Sequence, residues 1–483
     1  MKHYGLSSTA SEHRLNTSGH LATNPPRFAR FLSQNGISAC DEMLAARYGL
    51  LFASVVVVGA LIRIAAVFAV GDIDPATANT WETGGLAIES LKYGVLTGCI
   101  SDPSNVAHCL LGSDGTQVFR FPSAFVPPLP IFLFMALFKL FGVSKAALGV
   151  MLAINVAGGT AVVYYCGRIA ETLFKSRTIQ LLATVISALH PVLVYSVATY
   201  HGVNIYLPLI LCLFDQCSSR YAPTPLRAFA VGLLLGVTIL IRTEYLFLGL
   251  AILAGALLSH RRFALTALTV VTACCIVSPW TIRNYVTFHR FMPVVGTVGY
   301  ALFKGFNPLA NGSGHWVDTH YVARELIGGD LANVPKTPMY EVALDDVYHK
   351  AANEFIAAHP VRAFLELPVR KATLFWLFDI YDPTTHRILY QLAFWPLFFT
   401  SLAGLVLAYR CGLLSQSDHR IVLLYFLAQT VVVVGYAVHA RYRLNVDPFL
   451  FGYSALTIAA FLGHWLQRTT RRLDEAIAHR DVS

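Results

Sequence analysis

Eleven stretches of this 483-residue chain are apolar and nearly free of charge, at roughly 48–70, 125–141, 145–167, 178–198, 202–217, 226–241, 243–258, 263–281, 388–409, 420–437 and 446–466. A bilayer core of about 30 Å takes about 20 helical residues to cross, and it offers no water to an unpaired backbone amide. The chain is therefore expected to be an all-α polytopic membrane protein. With 55% hydrophobic and 13% charged residues, a soluble globular fold is excluded. The net charge of +9 needs no nucleic-acid partner, because Lys and Arg collect on cytoplasmic connectors.

Charge fixes the orientation. The basic connectors are 168–177 (Arg168, Lys175, Arg177), 218–227 (Arg220, Arg227), 259–262 (Arg261, Arg262), 410–420 (Arg410, Arg420) and the tail from Arg468 to Arg480. The loop 71–124 instead carries six acids against Lys92 and Arg120. If all eleven runs crossed, the basic connectors would fall on both sides. Taking 125–141 as a re-entrant or juxtamembrane helix repairs the pattern. Pro127, Pro128 and Pro130 fit that reading, since proline disrupts a helix and frees backbone groups that lipid cannot satisfy. About ten spans result, within a range of nine to thirteen, with both termini cytoplasmic.

The organisation expected is a polar cytoplasmic tail over 1–47, without the apolar core of a cleaved signal peptide. A membrane region follows over 48–281, with the outer loop 71–124 after its first span. Then come an extracytoplasmic segment over 282–387, three helices over 388–466 and a cytoplasmic tail over 467–483. No repeat or low-complexity tract appears. Of nine cysteines, most sit in spans as small apolar residues. Cys99 and Cys109 share the outer loop and are candidates for a disulfide in an oxidising compartment.

Six motifs follow one another on the expected sides of the membrane. They are Trp81-Glu82-Thr83-Gly84-Gly85-Leu86-Ala87, ending at Tyr93-Gly94; Phe125-Val126-Pro127-Pro128-Leu129-Pro130 with Phe138-Lys139-Leu140-Phe141-Gly142-Val143; Pro279-Trp280-Thr281-Ile282-Arg283-Asn284-Tyr285; Lys304-Gly305-Phe306-Asn307-Pro308; His359-Pro360 with Lys371 and Trp376; and Ala440-Arg441-Tyr442-Arg443. In this order the chain resembles the GT-C superfamily of membrane glycosyltransferases, in the branch of bacterial protein-mannosyltransferase-like and aminoarabinose-transferase-like enzymes. Val126 stands where several members carry a Lys before the paired prolines. Tyr200-His201-Gly202-Val203-Asn204 stands where others carry an acid. Both departures leave sugar and acceptor open.

The resemblance implies a multi-pass protein of the bacterial inner membrane. It implies inverting transfer of a sugar from a polyprenyl-phosphate donor to an envelope glycan, lipid or protein on the extracytoplasmic side. That chemistry needs a base for the acceptor hydroxyl. Glu82 is the first candidate, with Asp74 and Asp72 behind it; the competing role for Glu82 is to charge-cap the short helix that it opens. The leaving phosphate needs cations, and Arg283, Lys304, Arg441 and Arg443 are the candidates, with interfacial snorkelling the other reading for the last two. Arg63 lies inside the first span, about 10 Å from its outer end by helical rise. With Arg242 it is a candidate for substrate contact or for a structural ion pair. His201, His439 and Tyr442 are further contact candidates on the outer side. No metal is required for a monophosphate leaving group, although the loop acids offer ligands for one.

Three other readings fit a chain of this kind. A lipid-linked glycan flippase would share the spans and intramembrane charge, but no inverted repeat is visible. A ligase or polymerase of lipid-linked glycans would share the donor chemistry. A non-catalytic relative would keep the acids without using them.

Overall fold

A computed structural model describes residues 26–79, 82–94, 96–100, 119–260, 262–314 and 319–480. Its first elements depart from expectation. Residues 26–44, read from sequence as part of a loose tail, form two helices, α1 (Pro26–Gln34) and α2 (Ile37–Leu44). A narrow apolar face holds them to the bundle: Phe28, Leu32 and Ile37 are buried, with Phe28 6.3 Å from the Phe174 ring. Gly36, at φ 70°, makes the left-handed turn between them and lies against Gln467. Asp41 completes the docking, its Oδ1 accepting from the Thr178 amide at 2.7 Å and from Ser176 Oγ at 3.0 Å. A carboxylate there also complements a helix N-terminus.

The first membrane helix is α3 (Tyr48–Val70). It is followed by α4 (Glu82–Tyr93), the antiparallel pair β1 (Thr97–Ile100) and β2 (Phe119–Pro122), and α5 (Pro128–Phe141). Seven helices come next: α6 (Lys145–Phe174), α7 (Arg177–Leu189), α8 (Pro191–Ser196), α9 (Val203–Cys217), α10 (Pro225–Ile241), α11 (Tyr245–His260) and α12 (Phe263–Phe288). The segment beyond them carries α13 (Val298–Gly305), α14 (Thr319–Ala332), α15 (Tyr340–Ala358) and α16 (Leu367–Trp376). The chain closes with α17 (Ile388–Arg410), α18 (Ser417–Gly435) and α19 (Asp447–Arg480).

Among the described residues six helices are long and apolar enough to cross a membrane: α3, α6, α12, α17, α18 and α19. Five shorter apolar helices, α5, α7, α9, α10 and α11, accompany them. α5 stands apart from the main core. Its Ile131, Phe134 and Phe138 join a separate apolar cluster with Leu86 of α4 and Leu148 and Met151 of the first turns of α6. These eleven apolar helices fall on the eleven apolar runs of the sequence, and the protein is a multi-pass membrane protein.

Local chemistry explains how these helices start and bend. Ser144, Ser176 and Thr224 cap α6, α7 and α10, each side chain accepting from an amide three residues on. Internal prolines each strip a donor from the carbonyl four residues earlier. Pro279 frees Cys275 O, and Ser278 Oγ takes it at 3.1 Å. Pro208 frees Asn204 O, and Gly158 of α6 packs directly on that oxygen, so close that a Cβ there would lie 1.7 Å from it. That glycine is required by the approach of α6 to α9.

One end of the bundle is covered by β2 and α13–α15. Phe121 of β2 packs at 5.0 Å on Tyr340 of α15, and Phe303 of α13 at 5.4 Å on Tyr348. Glu341 ties this cap to the entrance of α5: it accepts from Ser123 Oγ and from the Ala124 amide, each at 2.7 Å.

Candidate functional site

The site is built where the chain leaves α18 at the cap end. Residues 436–440 run between two loops. Val438 pairs with Ser313, donating to Gly312 O at 3.0 Å and accepting from Gly314 N at 2.6 Å. On the far side the Ala440 amide donates to Asp382 Oδ2 at 3.1 Å. Held on both flanks, this stretch and the turn after it present three rings. Tyr436 and His439 lie 6.4 Å apart, His439 and Tyr442 5.2 Å, and Tyr436 and Tyr442 6.2 Å. Gly314 packs face-on to His439, where a Cβ would come within 2.2 Å of Nε2.

Three cations surround these rings. Lys304 Nζ stands 5.8 Å from the Tyr436 centroid, and the guanidinium carbons of Arg441 and Arg242 stand 5.8 and 5.4 Å from the Tyr442 centroid. Cation–π attraction favours each cation beside its ring, while mutual repulsion among the three makes an anion between them welcome. The three are held differently. Arg242 is anchored by Glu244 at 2.6 Å and by the Tyr206 hydroxyl at 2.7 Å. Arg441 is exposed, while its neighbour Tyr442 is buried.

His201 joins the same charge field. Part of it reaches solvent, yet its crowded setting and then the charges of Arg441 and Arg242 lower its pKa to about 4. It is therefore a neutral hydrogen-bonding group at physiological pH. Desolvation raises the pKa of the Tyr442 hydroxyl, which stays protonated.

The first-loop acids come to this place through Tyr200. Its hydroxyl donates to the backbone carbonyl of Asp72 in a short hydrogen bond, and its ring packs 6.4 Å from Phe134 of α5. Asp72 and Asp74 are both exposed. They shape the turn that holds them, Asp72 Oδ1 accepting from the Asp74 amide at 2.8 Å and Asp74 Oδ1 from the Ala76 amide at 3.0 Å. Glu82 is the first residue of α4; its side chain lies outside the described residues, as do the side chain of Cys99 and all of Cys109. The buried acid of α4 is Glu89, bridged to Arg120 at 3.1 Å and to Lys92 at 3.4 Å.

Three sequence candidates are drawn elsewhere. Arg443, expected at a phosphate, is buried and donates to Phe375 O at 3.3 Å, Trp376 O at 3.0 Å and Asp447 Oδ1 at 3.1 Å, clamping α16 to α19. Arg283 donates to Ser123 O at 2.9 Å and to Asn284 Oδ1 at 3.1 Å. The neighbouring Trp280 and Asn284 pin Val294 O at 2.7 and 3.0 Å, so this motif fixes the loop after α12. Arg63 is wholly buried and donates to Gly59 O, Ala188 O and Ser187 O at 3.0–3.2 Å. It cross-links α3 to α7 through carbonyls, with no first-loop acid among those partners.

Sequence reading missed two buried ionisable groups near the cap. Burial pushes Glu341 up to about 7, against the lowering effect of its bonds to Ser123 and Ala124 and of the Arg283 charge. Burial likewise lowers Lys371 of α16 to about 7; its Nζ donates to Val434 O at 3.0 Å and sits 3.7 Å over the Phe306 ring. Lys371 stood within a recognised motif, but nothing in the spacing says that it is buried. Among the described residues no group of three or more His, Cys, Asp or Glu is placed to hold a metal ion.

No family model and no curated protein matches the chain. Among solved structures it is similar to the oligosaccharyltransferase of Archaeoglobus fulgidus crystallised with Zn and sulfate, at 16% identity and TM-score 0.49 over 88% of this chain. It spans about half of that protein, 51%. It is also similar to ArnT from Cupriavidus metallidurans bound to undecaprenyl phosphate, at 14% identity and TM-score 0.38, covering 81% of this chain and 77% of that one. At these identities and TM-scores no residue role passes from either to this chain.

Proposed function

We propose that this protein is a membrane glycosyltransferase that takes a sugar from a polyprenyl-phosphate donor and joins it to an envelope acceptor, on the extracytoplasmic side. The observation that carries this reading is the tether from Tyr200 to Asp72 beside His201. It supports the reading by holding the acid-bearing first loop next to His201, which lies in the charge field of Arg441 and Arg242. In this reading a base and a phosphate site are neighbours, as the reaction requires.

In the proposed step a carboxylate of this loop (Glu82, Asp74 or Asp72) takes the proton from the acceptor hydroxyl. The freed oxygen attacks the anomeric carbon, and the bond from that carbon to the phosphate oxygen breaks. The electron pair leaves with the prenyl phosphate, and the configuration inverts. Arg441 is the exposed guanidinium that receives the phosphate, with Lys304 beside it. Arg242, fixed by Glu244, contributes charge at closer to constant geometry. Tyr442, His439 and neutral His201 offer ring faces and hydrogen bonds to the sugar. Supporting the reading are the six motifs in order and the basic connectors, which all gather at the end away from this cluster. No metal enters the step.

The test is incubation of purified protein with a polyprenyl-phosphate sugar, following prenyl-phosphate release in wild type and in Glu82→Gln, Asp74→Asn and Asp72→Asn. One of the three should fall by on the order of 10²–10⁴ while remaining folded. Normal release by all three refutes a base in this loop. Lipid movement across the membrane without sugar transfer would establish the flippase instead.

A further inference from the structure

A second charged recess lies at the opposite end of the bundle. α9 carries the chain away from Tyr206, beside Arg242, to Cys217, and α10 and α12 begin at this far end. There an open groove runs between α10, α11 and α12 under the 218–224 loop. Its depth is apolar, walled by Val231, Leu253, Leu257 and Leu265, and Arg227 and Arg262 stand among its lining residues.

The charge that lines it is one-sided. None of the described lining residues is acidic. Three carboxylates meet the loop above it, each already engaged: Asp215 takes the Tyr221 hydroxyl at 3.2 Å and faces Arg168 at 3.9 Å, Asp418 takes the Ser219 amide at 2.8 Å, and Glu171 pairs with Arg220 at 2.7 Å. Arg227 is oriented rather than free to wander: its Nη1 donates to Ala222 O at 2.6 Å, and its guanidinium carbon lies 4.3 Å from the Tyr221 ring centroid. That bond uses one of its five N–H donors. Arg262 is exposed. α10 and α12 pack in parallel, Gly232 against Thr269 and Gly236 against Ala273. Both positive helix ends therefore point the same way as the arginines and add to them.

We infer that this groove holds an anionic phospholipid of the leaflet opposite the candidate active site, its phosphate on Arg227 and Arg262 and an acyl chain along Val231 and Leu257. Two cations above an apolar slot complement a headgroup with net negative charge joined to a hydrocarbon chain. A zwitterionic lipid would bring its own cation against the arginines. The inference is independent of the transfer reaction proposed above.

Purified full-length protein in phosphatidylcholine nanodiscs doped with phosphatidylglycerol tests this, with retained lipid identified by native mass spectrometry. Wild type should keep phosphatidylglycerol in preference to phosphatidylcholine. Arg227→Gln with Arg262→Gln should hold it roughly thirtyfold more weakly, about fivefold for each arginine. Val231→Trp, which fills the slot and leaves both charges, should also release it. Should loss of the Arg227–Ala222 bond unfold the double variant, Arg262→Glu alone reads the same contact. Equal retention of the two lipids overturns the proposal. So does full displacement by inorganic phosphate, or retention by Val231→Trp, which would mean adsorption to surface charge. A change of oligomeric state in the variants with unchanged lipid would give the groove to a second copy of the chain and overturn it too.

Discussion

The Tyr200 hydroxyl is hydrogen-bonded to the backbone carbonyl of Asp72, across 128 residues of sequence. Through that contact the first loop shares the neighbourhood of His201, Arg441 and Arg242. Tyr200→Phe keeps the ring against Phe134 and removes only the tether. One hydrogen bond is worth about 1 kcal/mol, near a factor of five. Prenyl-phosphate release should drop by about that factor, with melting temperature almost unchanged. An unaltered rate would mean that the loop holds its place without Tyr200.

Arg441 and Arg443 are two residues apart and should fail differently. Arg441→Ala removes an exposed cation; activity should collapse while stability stays within about 0.5 kcal/mol. Arg443→Ala strands Asp447 in a buried site and should cost about 3–5 kcal/mol. Thermal unfolding in detergent and transfer assays on both variants give the comparison. A stable, inactive Arg443 variant would return that residue to the phosphate site.

Glu341 makes the cap pH-sensitive. Its folded-state pKa is raised to about 7 from an ordinary 4.5. Between those values the folded protein binds a proton that the unfolded chain has released, so stability falls as pH rises from about 4.5 to 7 and then levels. The span is of order 2–3 kcal/mol. Glu341→Gln imitates the protonated acid, accepting from the Ala124 amide and donating to Ser123. It should flatten this slope and melt higher than wild type at pH 8. A parallel slope in the variant would assign the effect to another group.

Lys371 has the opposite sign in the adjoining window. Its pKa is lowered to about 7 from 10.5. The unfolded chain therefore holds the extra proton between those values, and stability rises with pH from about 7 towards 10.5. Lys371→Met fills similar volume without charge and should remove that rise. Melting curves from pH 7 to 10 distinguish it from wild type, and an unchanged rise would mean that Lys371 is not the group titrating.

The bundle was readable in the sequence because a bilayer imposes a length and a charge asymmetry that few other constraints can imitate. Which of the candidates lie together was only half readable. Arg441, Arg242, Lys304, His201, His439 and Tyr442 all converge, since charge or a ring at a span end is uncommon. Arg283 and Arg443 look identical to Arg441 in sequence, and only the carbonyls of Ser123, Phe375 and Trp376 set them apart. Those partners come from segments 67 to 160 residues away, beyond any local pattern. Glu341 was unreadable for a like reason, as its partners lie 217 and 218 residues distant. The docking of α1 and α2 escaped notice because a few apolar side chains amid polar ones resemble a tail.

Between Ala440 and Asn445 the backbone coils tightly, with Arg441 in solvent and its neighbours on both sides buried. Asn445 is already fixed in the bundle, bonded to Tyr245 at 2.9 Å and Gln429 at 3.3 Å. This stretch is thus a counted thread: both ends are tied off, and which residue faces outward depends on the number between them. Deleting Ala440 would draw the exposed guanidinium into a buried slot and push Tyr442 into water. This stretch fixes a reading frame for the site, and length changes here should be ones that the protein does not survive.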